Sequence, residues 1–177
     1  MSTMSTMNTW TISLPQVGPI VPSQEVRSYD LELDNVASVL NDICESLSEN
    51  GSVRFLVSGF GQKQWPVDIY TDLAVVVEQV PAVLKALRNG KSAILGFYEQ
   101  GIQRVLSMDP AGVETIVECQ SMTSWQPEPS AIRMESAKLL EMLETFLDEF
   151  VDRGRQCCPA VVRHPWFREW LGEDLSN

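Results

Sequence analysis

The sequence is short of the residues from which most catalytic and metal centres are built. It holds a single histidine, His164, and four cysteines, none of them in a Cys-x-x-Cys pair. A nucleophile needs a base within reach, so Cys157 or Cys158 with His164 is the pairing to consider. Because Pro165 favours a helix start, His164 more simply precedes a first helical turn. A zinc site from these three residues would lack a fourth ligand and the usual spacing.

Other chemical signals are equally sparse. The stretch Gly59-Phe60-Gly61 lacks the third glycine and the Lys-Ser or Lys-Thr pair of a phosphate loop. The carboxylates Glu99, Glu114 and Glu118 could face one another across strands, and Asp68 and Asp72 flank a helix start, where capping explains them. We therefore expect no catalytic residues, no metal and no cofactor. A small enzyme using Cys158, His164 or the strand carboxylates remains an alternative.

Long hydrophobic runs and clusters of positive charge are also missing. No apolar run approaches the roughly 20 residues of a membrane span, and residues 1–7 lack the basic and apolar regions of a secretory signal. These absences favour a cytoplasmic protein with reduced cysteines and no membrane partner. Nucleic acid is disfavoured as a ligand because phosphate binding needs clustered Lys and Arg.

Negative charge is what the chain has in excess. It holds 24 acids against 13 bases, a net charge of −11, and residues 1–60 and 128–152 each contribute −5. A surface of this sign favours a basic protein as partner, since complementary fields speed encounter. The alternative is that the acidity serves only solubility.

The pattern along the chain predicts two regions. Residues 1–28 are rich in Ser, Thr, Pro and Gly and are expected to form an extended or partly disordered arm, mobile over residues 1–8 and anchored by Trp10. Residues 29–177 are expected to form a single α+β domain. Its length is sufficient for one hydrophobic core.

Apolar spacing predicts the helices of that domain. A helix over 34–49, capped by Asp34, carries apolar residues at intervals of three and four. A strand over 53–58 follows. Residues 72–88 are expected to form a kinked helix or two short helices because Pro81 interrupts them. The run of valines leaves open a strand followed by a helix over 74–88.

The pattern in the second half of the chain predicts an antiparallel meander of strands and two more helices. Strands over 92–99, 102–108 and 113–120 are joined by connections too short for parallel crossovers. After a loop over 121–130, Ser130 is expected to cap a helix that runs to about Asp152, and a short helix begins at Pro165. The fold class is α+β, a mainly antiparallel sheet of about four or five strands with two or three helices packed on one face.

Candidate partner-binding residues are of two kinds, and their contacts and the oligomeric state are not fixed by the pattern. Carboxylates spaced by three and four line up along single helix faces, and tryptophans are favoured interface anchors, although they also serve as lids over small cores. The acidic stripe comprises Glu141, Glu144, Asp148 and Asp152, and a second acidic face comprises Asp42, Glu45 and Glu49. The tryptophans are Trp125, Trp166 and Trp170.

The overall character, with the phrases Phe97-Tyr98-Glu99-Gln100-Gly101 and Cys119 followed by Ser124-Trp125-Gln126-Pro127, resembles the immunity proteins of bacterial polymorphic or contact-dependent toxin systems. Those are small, acidic, cytoplasmic α+β proteins. The resemblance implies that the chain binds a cognate, basic toxin domain and occludes its active site. The alternative is an adaptor or regulatory module that binds a cellular protein through the Trp-rich C-terminal segment.

Overall fold

The computed structural model describes residues 9–23, 27–173 and 175, which form four α-helices and two antiparallel sheets. The α+β class predicted from the sequence is confirmed. The expected mobility of residues 1–8 concerns a part of the chain outside the described residues. Within the described ranges, no helix combines the length and apolar character needed to cross a bilayer. In chain order the elements are β1 (Thr11–Ser13), α1 (Val36–Asn50), β2 (Leu56–Ser58), α2 (Ala74–Arg88), β3 (Ala93–Phe97), β4 (Arg104–Ala111), β5 (Glu114–Ser121), β6 (Ala131–Glu135), α3 (Ser136–Cys157) and α4 (Pro165–Trp170).

The larger sheet has the strand order β3-β4-β5-β6, with every neighbouring pair antiparallel. Its strands alternate in burial, as the sequence predicted: Val117 and Cys119 are buried on β5, whereas Glu118 and Gln120 are exposed. Helix α2 contacts β3, α3 contacts β5 and β6, and α1 packs against α2 and α3. The core therefore lies between one face of this sheet and the helices.

The helix expected to begin at Ser130 begins later, so that expectation was wrong at its start. Residues Ala131–Glu135 form β6 because Ile132 is buried opposite Val117 on β5. Helix α3 starts at Ser136 and continues past Asp152 to Cys157. It passes through Gly154, where a Cβ atom would lie 3.1 Å from Val162 and 3.5 Å from Ile43. The missing side chain thus permits close packing on α1 rather than ending the helix.

Helix α1 begins at Val36, and its N-cap is Asn35 and not Asp34 as expected. The Asn35 side chain accepts a hydrogen bond from Ala37 N at 2.8 Å, and Ser38 Oγ accepts one from Asn35 N at 3.2 Å. Asp34 instead accepts from Asp30 N at 2.8 Å, in the preceding loop. That backbone hydrogen bond is the main reason why the pKa of Asp34 is lowered.

Helix α2 settles the question left open by its valines: Ala74–Arg88 is one helix that contains Pro81, so the strand alternative is wrong. A π-helical turn, Ile69–Leu73, leads into it. Asp68 caps this turn by accepting from Thr71 N at 2.7 Å. The strand expected over 53–58 is shorter in the structure: only Leu56–Ser58 forms β2, because Val53 makes only an isolated bridge with Gln16.

The N-terminal segment forms part of the core. Strand β1 pairs with β2, with Thr11 opposite Ser58. Trp10 and Leu14 have no exposed surface and Ile12 is almost fully buried, so the alternate residues of this segment all point inward.

The outer edge of β3 is covered by a side chain of α2. Gln79 Nε2 donates to the Gly96 carbonyl at 2.8 Å, and Gly96 N donates to Gln79 Oε1 at 2.9 Å. The carboxamide therefore pairs with the strand as a neighbouring strand would. Exposed edges invite pairing with other chains, so this contact protects the sheet as well as stabilising it.

We predict that Gln79→Ala lowers the free energy of unfolding by about 1–3 kcal/mol, because it leaves the polar backbone of the buried Gly96 without partners. Urea unfolding measures the change. Glu78→Ala is the matched control, since that neighbouring side chain is exposed and its loss should change stability by less than about 0.5 kcal/mol. Equal effects of the two substitutions would contradict the edge-covering role.

Candidate protein-binding surface

The second acidic face predicted from the sequence lines a cavity beside α1. Asp42, Glu45 and Glu49 lie on one side of the helix because residues three, four and seven apart are neighbours there. The cavity has a volume of about 400 Å³. Its other described lining residues are Ser23, Arg27, Tyr29, Ser46, Cys158 and Val161.

Asp42 orders the rim of this cavity. Its Oδ2 accepts hydrogen bonds from Arg27 Nε at 2.7 Å and from the Tyr29 hydroxyl at 2.6 Å. The Arg27 guanidinium also lies 4.6 Å from the centre of the Tyr29 ring. Partial burial, with the hydrogen bond to Asp42, raises the pKa of Tyr29, so its hydroxyl stays a donor at neutral pH.

The remaining two carboxylates of the cavity are free to meet a partner. Glu45 and Glu49 are exposed, and neither forms an ion pair with a described residue. With Asp42 they place three negative charges around the cavity against the one guanidinium of Arg27, a local net charge of −2 among the described lining residues. The concave, incompletely neutralised arrangement suits a cationic side chain.

A second cavity adjoins the first at Tyr29. The Tyr29 ring lies 5.9 Å from that of Trp166, and Arg27 pairs with Asp34 at 3.3 Å. This neighbouring cavity, of about 520 Å³, is lined by Asp34, Asn35, Val36, Trp166, Glu169 and Trp170. We call the two cavities together the α1 surface.

Two leucines just before α1 in the chain expose apolar surface to solvent. Leu31 and Leu33 stand in the loop just before α1 and are 86% and 83% exposed, although leucines are favoured in the core. The α1 surface combines carboxylates and tryptophans, and the exposed leucines precede it in the chain. Aromatic anchors with polar surroundings are typical of protein interfaces.

The tryptophans of this surface are half-buried. Trp166 packs on His164 with ring centres 4.8 Å apart. Trp170 Nε1 donates to the Glu78 carbonyl at 2.9 Å, and its ring meets Phe150 edge-on at 6.2 Å. Each ring thus has one side fixed by the core and another side toward solvent, which makes it both a lid and a preorganised contact.

The acidic stripe of α3 is more strongly neutralised than its sequence pattern suggests. Arg88 pairs with Glu144 at 2.9 Å, and Arg153 pairs with Asp152 at 2.6 Å. Asp148 and Glu141 are exposed. Asp148 lines a groove whose described residues also include Lys85, Arg88 and Arg155. Bases from α2 and from the end of α3 therefore offset the field of the stripe.

Trp125 lies apart from the α1 surface and covers a buried arginine. The Arg104 guanidinium is 3.5 Å from the centre of the Trp125 ring and 4.6 Å from that of Trp65. Arg104 is 2% exposed; its Nη1 donates to Gln62 Oε1 at 2.6 Å, and no described residue accepts from its Nε. Burial lowers the pKa of Arg104.

His164, the imidazole considered for catalysis, forms a structural contact. His164 Nδ1 accepts from Trp166 N at 3.1 Å and so caps α4. On the sheet, Glu118 stands opposite Ser107 and Ala131, and Glu114 stands opposite Ala111 and Glu135, so the alternative in which Glu99, Glu114 and Glu118 face one another across strands does not occur. Within the part of the chain that the structure describes, no three His, Cys, Asp or Glu side chains are grouped to hold a metal ion.

The sequence interpretation missed Arg27 and Tyr29, which complete the α1 surface. Both stand at the boundary assigned between arm and domain, where no periodicity marks a role. Their position depends on tertiary contacts with Asp42. The local signal available was the alternation of charged and aromatic residues, Arg27, Tyr29 and Asp30, which is common in loops.

Comparison of the chain with protein-family models, curated protein sequences and solved structures finds no match in any of the three.

We predict that Trp125 and Arg104 are energetically coupled. A double-mutant cycle with Trp125→Ala and Arg104→Met should give a coupling free energy of about 1–2 kcal/mol, because the desolvated guanidinium stacks on the ring. Urea unfolding of the four proteins measures it. A cycle pairing Trp166→Ala with Arg104→Met should give less than about 0.5 kcal/mol. A null coupling in the first cycle would remove the lid role of Trp125.

Proposed function

We propose that this protein binds a basic protein through the α1 surface and acts as an inhibitor, as an immunity protein does for its toxin. The observation that carries the proposal is the cavity edged by Asp42, Glu45 and Glu49. A lysine or arginine side chain of the partner would enter this cavity and pair with Glu45 and Glu49. The tryptophans of α4 would provide the apolar contact beside it.

The balance of charges supports this choice of surface. The stripe on α3 carries four carboxylates, one more than the cavity, but Arg88 and Arg153 already pair with two of them, and Lys85 and Arg155 lie in the groove beside Asp148. The cavity on α1 leaves two of its three without such a pair among described residues. Ion pairs at an interface steer encounter and specificity, so unpaired carboxylates in a concave site offer more to a basic partner.

Inhibition follows from where a basic partner carries its charge. An enzyme that acts on an anionic polymer concentrates Lys and Arg in its substrate cleft. A chain with a net charge of −11 and a carboxylate-lined docking point competes for that cleft. The bound protein would then exclude the substrate without performing chemistry, and it would work in the cytoplasm, where the toxin acts.

We predict that the double substitution Glu45→Lys with Glu49→Lys weakens binding of the basic partner by at least about tenfold, because it reverses the field in the cavity. The full-length chain, immobilised, is used to capture basic partners from a lysate of its own species. Calorimetry then gives the affinity at several salt concentrations. Affinity should fall as salt rises.

The matched control is Glu141→Lys with Asp148→Lys, which makes the same charge change at exposed positions of α3. This variant should retain most of the affinity. If it loses binding while the α1 variant keeps it, the docking point is the stripe and the proposed surface is wrong. If the unmodified chain captures no basic protein, or leaves the activity of the captured protein unchanged, the inhibitory function is wrong.

A second candidate function is an adaptor that binds a cellular protein through the C-terminal tryptophans. The cavity lined by Val36, Trp166 and Trp170 favours it. In that case Trp166→Ala with Trp170→Ala would abolish binding, whereas the lysine substitutions at Glu45 and Glu49 would leave it unchanged and salt would have little effect. Loss of binding in both variants, with strong salt dependence, would support the inhibitor instead.

A further inference from the structure

The floor of the acidic cavity holds a thiol that stands next to a second thiol. Cys157 is the last residue of α3, and Cys158 follows it with φ −137° and ψ 62°, outside helical geometry. Adjacent side chains on a helix point away from each other, but here the end of the helix turns both sulfurs to the same side. Their Sγ atoms are 3.4 Å apart.

The two thiols differ in access. Cys157 has no exposed surface, whereas Cys158 is 5% exposed and lines the cavity of about 400 Å³ with Ser46, Glu45 and Asp42. The cavity is wide enough to admit a small molecule of a few atoms. A reagent that enters the cavity contacts Cys158 first, because Cys157 is fully buried behind it.

Hydrogen bonding divides the roles of the two sulfurs further. The Cys157 thiol donates to Cys158 Sγ, and the Ser46 hydroxyl also donates to it, so the pKa of Cys158 is lowered. The Asp42 carboxylate opposes this effect without reversing it. The pKa of Cys157 is raised by its role as donor and by burial. The neighbouring Cys44 is fully buried, which raises its pKa as well. The thiolate, which is the reactive form, therefore belongs to Cys158.

We infer that Cys158 is a redox-active thiol that a hydroperoxide oxidises through the cavity, and that Cys157 converts the product to a disulfide between the two adjacent residues. This inference does not rest on the proposed inhibitory function. It assigns to the chain a modification site for small hydroperoxides.

The chemistry balances with a hydroperoxide as the oxidant. The Cys158 thiolate attacks the outer peroxide oxygen, the O–O bond breaks, and the alkoxide or hydroxide that leaves takes a proton from water. Cys158 becomes a sulfenic acid. The Cys157 sulfur then attacks the Cys158 sulfur, the S–O bond breaks, and the thiol proton leaves with the hydroxyl as water. Two thiols are oxidised and one peroxide is reduced.

The geometry also makes the bond easy to reverse. A disulfide needs its sulfurs about 2 Å apart, and a bridge between adjacent residues is strained. Strained disulfides have higher reduction potentials and are the labile, regulatory ones. The bridge would draw Cys158 away from Ser46 and change the floor below Glu45, so oxidation alters the shape of the cavity.

The test uses the full-length, reduced chain treated with hydrogen peroxide and then alkylated. Trypsin cleaves after Arg155 and Arg163, so both cysteines fall in the peptide Gln156–Arg163, separate from Cys44 and Cys119. We expect this peptide to lose two hydrogens and to regain them with dithiothreitol. In Cys157→Ser, Cys158 should gain one oxygen and react with dimedone. In Cys158→Ser, Cys157 should stay reduced at the same dose.

Cys119→Ser is the matched control, because Cys119 lies on β5 away from the cavity, and this variant should still form the bridge. Circular dichroism verifies the fold of each variant. If a variant does not fold, peptide mapping of the unmodified chain decides alone. The inference is wrong if Cys119 or Cys44 is oxidised before Cys158, if Cys158 bridges to Cys44, or if dithiothreitol fails to restore the thiols.

Discussion

The proposed surface depends on hydrogen bonds between the extended N-terminal segment and the side chains of α3 and α1. Arg153 Nε donates to the Leu14 carbonyl at 3.2 Å, and Gln156 Nε2 donates to Gln16 Oε1 at 2.8 Å. Further along, Val21 N donates to Asn50 Oδ1 at 2.7 Å. Beyond its pairing with β2, a segment with three prolines cannot satisfy all of its backbone groups in a sheet, so helix side chains bind some of them. These contacts fix the path of the segment against α1 and α3 up to Ser23, which lines the first cavity.

That arrangement divides the carboxylates into two groups. Some form hydrogen bonds within the protein. Asp42 orients Arg27 and Tyr29, and Glu149 accepts hydrogen bonds from both Leu14 N and Arg153. Others, such as Glu45 and Glu49, line the cavity and form no ion pair with a described residue. A net charge of −11 is thus a poor guide to a binding site on its own. What matters is where unpaired carboxylates coincide with a concave surface.

Local periodicity explains which parts of the fold could be predicted. The apolar repeat of α1, the alternation along β5 and the proline at the start of α4 are short-range signals, and each element formed close to where the sequence placed it. Strand β6 could not be found this way. It has one fully buried residue, Ile132, and it exists because β5 offers a partner to Ala131–Glu135. The continuation of α3 past Asp152 to Cys157 depends on tertiary contact in the same way, since the small size of Gly154 permits the contact with Ile43.

The candidate site divides in the same way. The spacing of Asp42, Glu45 and Glu49 gave the acidic face, because positions on a helix follow from the helix itself. The cavity needs Arg27, Tyr29 and Cys158, which arrive from a loop and from the end of α3. No local pattern predicts that meeting. A face can therefore be predicted from sequence, whereas a concave site needs the tertiary structure.

The tryptophans show why composition alone cannot identify an interface. Trp10 and Trp65 are buried in the core, and Trp125 stacks on the guanidinium of Arg104. A buried cation without a carboxylate partner is costly, so the two rings and the hydrogen bond to Gln62 offset a desolvation that would otherwise disfavour the fold. Trp166 and Trp170 lack such an internal charge to cover. Their half-exposed rings, next to unpaired carboxylates, are the ones with a free side to offer a partner.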